Sequence, residues 1–393
     1  METKKANTYN TIMFCVVGIM VFFFPTSIGG EILTNMMYIY AYYGLCIMCA
    51  TWYVMKRRID AQAVIGFIGI MVYMFFASFV SSQILGGSIA IARVVYVLLP
   101  AMIFFFASEK FVSYRVVVLT NEILTIVIIT WNLCLIFGLG IFPKLTVDYY
   151  SQFNWFTTRT FVNRHSPVFT FGIYSYGAFF YALLFLIWIQ VITKMRNLQR
   201  IVPVRYYVYA IAYIVFQFLM NGSTALMLGA VMLYIFVRML GKSKWGVIAV
   251  PAFLILGVVF ISLQDYDWSR MIIGTSTNGF TARYLSNWFR ANFNAVRSTI
   301  LGIGFTVPVH LNLVYTDSGF IVLFTMGNFL LPVCLYGAMY KRLKIVLEPR
   351  LFKDVLIIML MFEFALPGIL YIKEIVFLIY FFMSIKAIDE EYL

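Results

Sequence analysis

Six arginines stand in two long polar stretches of an otherwise apolar chain: Arg159 and Arg164 in the first, Arg270, Arg283, Arg290 and Arg297 in the second. A guanidinium stays charged at any accessible pH and presents a planar fork of donors that matches phosphate oxygens. The only two histidines, His165 and His310, fall in the same stretches. Imidazole is the side chain whose ordinary pKa lies nearest neutrality, so a proton-transfer role fits either one. The chemistry these residues suit by type is binding of a phosphorylated ligand by the arginines, with His310 or His165 qualifying by type as a base. Asp317 is the acidic alternative.

The second stretch is one-sided. Between residues 268 and 316 it has four arginines, no lysine and no acid, whereas selection for solubility alone would admit every charged type. Arg283, Arg290 and Arg297 recur every seven residues, which on a helix drifts only about 20° per step and makes one stripe. Phe289, Phe293, Val296 and Ile300 form an apolar stripe beside it. The spacing predicts an amphipathic helix over about 281–300, lying on a membrane surface with its apolar face in lipid or against the bundle. Phospholipid headgroups offer these arginines the same phosphate chemistry as a substrate would.

The elements that position these residues follow from composition. The chain is 63% hydrophobic and 11% charged with a mean hydropathy of +0.92, against roughly 25% charged residues in soluble domains. Apolar runs long enough to cross a bilayer recur from end to end. They predict an all-α, polytopic integral membrane protein, one domain over 1–393, with spans near 9–24, 36–55, 61–80, 88–107, 116–137, 168–192, 206–221, 223–240, 245–263, 318–339, 354–371 and 375–387, about 12 in all. The first run follows Lys4 and Lys5, lacks a small-residue cleavage site and reads as a span.

With the N-terminus inside, cytoplasmic segments collect 20 of the 29 lysines and arginines, as the positive-inside rule expects. Both termini are then cytoplasmic. The net charge of +13 reads as a topology signal and a match to anionic lipid, with no nucleic-acid module in view. Two long outer loops remain, 138–167 and 264–317, holding the six arginines, with Lys373 in a short outer turn. Tyr149, Tyr150 and Trp155 in the first loop suit an interfacial anchor or a sugar platform.

Arg93 is expected about five residues inside the fourth span, roughly 8 Å deep, snorkelling, paired or extending the phosphate site inward. Glu363, ahead of Pro367 and Gly368, stands mid-span as a lone acid. Cys46 and Cys49, spaced like a metal pair, have no second ligand pair and read as packing residues. Gly302 and Gly304 allow a turn or a close backbone approach. No acidic cluster marks a divalent-metal site in the outer loops, and no cofactor is expected.

This order of features resembles the O-antigen polymerase (Wzy-type) and O-antigen ligase superfamily of bacterial surface-polysaccharide assembly. The resemblance rests on Arg164-His-Ser-Pro-Val-Phe169 leading into a span and Asn221-Gly-Ser-Thr-Ala225 between two spans. It rests too on Leu301-Gly-Ile-Gly-Phe305 followed by Asp317-Ser-Gly-Phe320 at the end of the large loop. The Arg-to-Gly paired motif of some of these polymerases is not matched in spacing, since eleven residues separate Arg290 from Gly302. The resemblance implies a GT-C-like membrane fold in the bacterial inner membrane. It implies polymerisation of undecaprenyl-diphosphate-linked oligosaccharide repeat units on the periplasmic face, inverting and metal-independent, alongside a chain-length regulator protein. An O-antigen ligase and a lipid-linked repeat-unit flippase are the alternatives; a flippase should place its charge in the spans themselves.

Overall fold

The computed structural model describes residues 8–25, 36–55, 60–106, 108, 110–150, 162–171, 174–220, 222–241, 287–308, 318–365 and 368–391. Those residues are helical almost throughout. In chain order the helices are α1 (Thr8–Phe22), α2 (Met36–Val54), α3 (Ala61–Leu85), α4 (Ile91–Phe105), α5 (Tyr114–Phe137), α6 (Ile141–Asp148) and α7 (Tyr174–Asn197). Then come α8 (Val204–Leu219), α9 (Ser223–Leu240), α10 (Asn287–Thr299), α11 (Gly319–Gly327), α12 (Leu330–Val346), α13 (Pro349–Ala365) and α14 (Ile372–Glu391). A 3-10 turn, Gly368–Leu370, precedes α14, and two short strands, β1 (Ser88–Ile89) and β2 (Thr306–Val307), pair antiparallel with Ser88 opposite Val307.

Among the described residues α3, α5 and 176–197 of α7 are long and apolar enough to cross a membrane, and α1, α4, α8 and 224–240 of α9 are shorter apolar helices. The chain is a helical protein suited to membrane embedding. Burial separates the roles: the apolar window of α3 is only 22% buried, while that of α7 is 94% buried. A helix that is apolar all round and enclosed belongs to the centre of a bundle. α7 packs against α8, α9, α13 and α14, and α14 packs against α1, α2, α4, α5 and α7. Phe14 and Phe22 of α1 meet Tyr380 of α14, the first stacked at 4.4 Å between ring centroids.

Side-chain pairs show which helix ends lie together. Lys194 at the end of α7 pairs with Glu348 ahead of α13 and with Asp389 at the end of α14, the latter at 3.2 Å. Arg238 near the end of α9 pairs with Asp354 of α13, and Arg205 at the start of α8 pairs with Glu122 of α5 at 2.8 Å. Arg342 near the end of α12 reaches Tyr53 at the end of α2, 3.3 Å away. At the opposite end the close of α1 meets the start of α14 through Phe24 and Lys373. These helices therefore alternate as the charge pattern predicts, with Thr8 and Glu391 at the same, basic end.

Three expectations are corrected. The run 318–339 is two helices: α11 of nine residues is roughly 13 Å long and too short to cross by itself, and the chain breaks at Asn328, which adopts φ 51°. The surface helix expected over about 281–300 is described over Asn287–Thr299, 281–286 lying outside the described residues, and it buries Asn292, Ala295, Val296 and Thr299 against α11 and α3. Phe293 and Ile300 stay 45% and 73% exposed, because the small and polar face gives the closer approach. Finally, α4 starts only at Ile91, so Arg93 lies in its first turn, half-buried, rather than deep in a span. The predicted span at 245–263 lies outside the described residues.

Candidate functional site

The end opposite the basic one carries two folded patches and, beneath them, a buried charged cluster. The first patch begins where α5 stops. Gly138, left-handed at φ 65°, closes that helix by donating its N–H to Cys134 and Leu135 carbonyls, the usual role of glycine after a helix. His165 Nδ1 lies 3.2 Å from the same Leu135 oxygen. A carbonyl only accepts, so Nδ1 carries the proton and, in the neutral ring, the lone pair is left on Nε2. His165 and its neighbour Arg164 are both exposed.

The segment after them threads inward, and side chains answer two of its buried backbone groups, as burial requires. Asn132 Oδ1 accepts from Phe169 N at 3.0 Å while Asn132 Nδ2 donates to Tyr181, whose hydroxyl donates to Pro167 O at 3.0 Å. Thr170 donates to Phe22 O, Tyr150 to Phe23 O at 2.9 Å and Lys373 Nζ to Phe24 O at 3.0 Å. Three elements thus cap three successive carbonyls that the end of α1 leaves without helical partners. Tyr150 is buried in this role, edge-on to Trp131, while Tyr149 beside it is exposed. Of the proposed sugar platform, only Tyr149 is open among the described residues; Trp155 lies outside them.

The second patch is the Leu301–Thr306 stretch, which runs between α3, α11 and the start of α4. Ser78 of α3 accepts from Phe305 N at 2.8 Å, Thr306 Oγ1 donates to Ser78 O at 3.0 Å, and Tyr73 Oη donates to the Leu301 and Gly327 carbonyls at 2.8 and 3.1 Å. Ile303 N and Gly304 N donate to Thr325 O and Met326 O at 3.0 and 2.7 Å. A Cβ on Gly304 would meet Ser78 N at 2.4 Å, and one on Gly302 would meet Met326 O at 2.6 Å. The two glycines therefore serve close backbone approach. Arg93 donates to the Thr306 carbonyl, so this guanidinium helps hold the patch.

The sequence-derived residues are thus divided. Arg164 and His165 share the first patch; Arg93 belongs to the second, and Arg297 lies exposed on α10 beside it. Arg290 lies on the same helix, its side chain outside the described set. Arg159, Arg270, Arg283, His310 and Asp317 lie outside the described residues.

Comparison with family models, curated proteins and solved structures finds no match to this chain.

The buried cluster was not legible as such. Lys373, expected in an exposed turn, is the second residue of α14 and is buried with its ammonium over the Phe171 ring, 5.3 Å from the centroid. Glu374 and Glu363 are buried as well. Glu363 accepts from Tyr336 Oη at 2.7 Å and from Ile369 N at 2.6 Å, and its oxygen lies where a side chain on Gly368 would stand, 3.0 Å from the added carbon. Glu363 is therefore not alone, since Glu374 lies within electrostatic range of both it and Lys373. One sequence signal pointed this way: Lys373-Glu374 sits between the Pro367-Gly368 break and an apolar run, with little chain to form a solvated turn.

Proposed function

We propose that this chain is a polysaccharide polymerase of the bacterial inner membrane that joins undecaprenyl-diphosphate-linked oligosaccharide repeat units at its periplasmic end, with the basic end in the cytoplasm. The observation that carries the reading is the exposed Arg164–His165 pair, its imidazole held by the Leu135 carbonyl with Nε2 left as acceptor. In an inverting displacement the acceptor hydroxyl oxygen bonds to the anomeric carbon as the bond from that carbon to the diphosphate oxygen breaks. Nε2 takes the hydroxyl proton, and the growing charge on the diphosphate is met by guanidinium groups already in place. Arg164 and Arg297 are the described arginines free at the surface to do this; the four further outer arginines supply the same chemistry.

The test is a banding gel of the surface polysaccharide. Arg164→Ala and Arg290→Ala should keep normal protein abundance and abolish long chains, with chelator in a membrane assay leaving synthesis intact. Unchanged chain length after replacing all six outer arginines by Lys or Ala would end the reading. Deletion separates it from the ligase: a polymerase mutant retains core plus one repeat unit, a ligase mutant only bare core.

A flippase is the second reading, favoured by the charge within the bundle: Glu363, Lys373 and Glu374 are all buried, as a polar path for a lipid-linked sugar would need. Deletion of a flippase would leave lipid-linked repeat units on the cytoplasmic face.

A further inference from the structure

Glu374 is the odd member of the buried cluster. It is 2% exposed, and its Oε1 has no hydrogen-bond partner among the described residues. The neighbouring cation does not serve it: Lys373 Nζ is spent on the Phe24 carbonyl and the Phe171 ring, and no ion pair joins Lys373 to either carboxylate among the described residues. Glu363 is the opposite case, both of its oxygens accepting hydrogen bonds. The cluster thus holds two carboxylates against one ammonium. Burying an ionised carboxylate with an unanswered oxygen is costly, and uptake of a proton is the direct relief.

Among the described residues no other counter-charge faces Glu374. From α2, the neutral Tyr42 and Cys46 face this region, paired with each other. From α7 comes Tyr176, packed edge-on against Tyr371 at 4.9 Å. α1 contributes carbonyl oxygens and α13 contributes Glu363. The charged residue of α4, Arg93, is directed to Thr306. On α5 the charged residues are Arg115 and Glu122, toward the basic end, where Glu122 meets Arg205.

We infer that Glu374 is an internal proton-binding site at the outer end of the bundle, beside the hydrogen-bonded Glu363 and Lys373. The ligand is a single proton, gained at the unanswered Oε1 and lost to water when the cluster opens. This holds whether the chain polymerises or transports, since it rests on the burial and pairing of three side chains. The ordinary alternative is an anion held permanently at a helix start, where the first-turn N–H groups and the dipole favour negative charge.

Infrared difference spectra of the full-length protein in lipid nanodiscs, taken between alkaline and acidic pH, separate the two. A site that loads a proton gives a carboxylic C=O band on acidification that vanishes in Glu374→Gln and is displaced in frequency, not lost, in Glu374→Asp. Glu363→Gln should leave that band in place. If the spectra of the wild type and of whichever Glu374 variant folds coincide in the carboxylic region, Glu374 does not exchange a proton and the inference is overturned.

Discussion

Asn328 Nδ2 donates to Ile300 O at 2.7 Å, and both residues have positive φ, 51° and 63°. Ile300 is β-branched, and such a residue enters that region only when its surroundings hold it there. The asparagine that breaks the predicted span at 318–339 is thus the residue that seats the end of α10. Asn328→Ala removes this bond and the one from Phe329 N to Asn328 Oδ1. We expect a loss of roughly 1–2 kcal/mol, with Asn328→Gly restoring the backbone part but not the bond. Thermal unfolding of the detergent-solubilised protein reads both.

Gly304→Ala should be more severe. At φ 58°, with Ser78 backbone nitrogen 2.4 Å from the added carbon, there is neither room nor a comfortable conformation, and about 3 kcal/mol or more is at stake. Ser78→Ala, which leaves the buried Phe305 N–H unanswered, should cost about 1–3 kcal/mol. A polymer assay at low temperature would show whether the second patch is only a clamp: activity that returns on cooling marks a stability defect.

Arginine substitutions should divide by patch. Arg93→Ala deprives the Thr306 carbonyl of its donor and should destabilise by about 1.5–3 kcal/mol. Arg164→Ala, at an exposed position, should stay within about 0.5 kcal/mol of wild type while losing long polymer. Equal melting losses for the two would mean Arg164 has a structural duty as well.

At the basic end, pH should act through Asp389. Burial pushes this carboxyl above its ordinary 3.8, although Gln190 and Lys194 pull the other way. For Lys194 burial opposes the charge, but Glu348 and Asp389 outweigh it and hold its pKa above 10.5. The pair does not move symmetrically, because Lys194 has two acidic partners and Asp389 one base. With its folded value raised, Asp389 binds its proton more readily in the folded state, so its contribution to stability falls as pH rises from 3.8 through the folded value. The Lys194 contribution is complete below 10.5 and lost only above it. Melting temperature against pH should show the acidic fall in wild type and a flatter line in Asp389→Asn.

Much of the architecture could be read from residue order because lipid cannot solvate a peptide group: apolar runs had to become helices, and the lysines and arginines had to gather at one end. The alternation of helix ends around Lys194, Arg238 and Arg342 follows that reading, as does the separation of α8, ending at Leu219, from α9, starting at Ser223. What escaped it depends on contacts between distant segments. Gly304 could be read as a turn or a close approach, but only the fold showed that Ser78, more than two hundred residues earlier, is what it approaches. Lys373 was expected in a short outer turn, yet it is buried, with its ammonium on the Phe24 carbonyl and over the Phe171 ring. The outer arginines set a chemical expectation by type alone. Tertiary structure decided that Arg93 holds backbone and that Arg164 remains open, because a guanidinium binds whichever oxygen packing brings within reach, and no local pattern specifies which that will be.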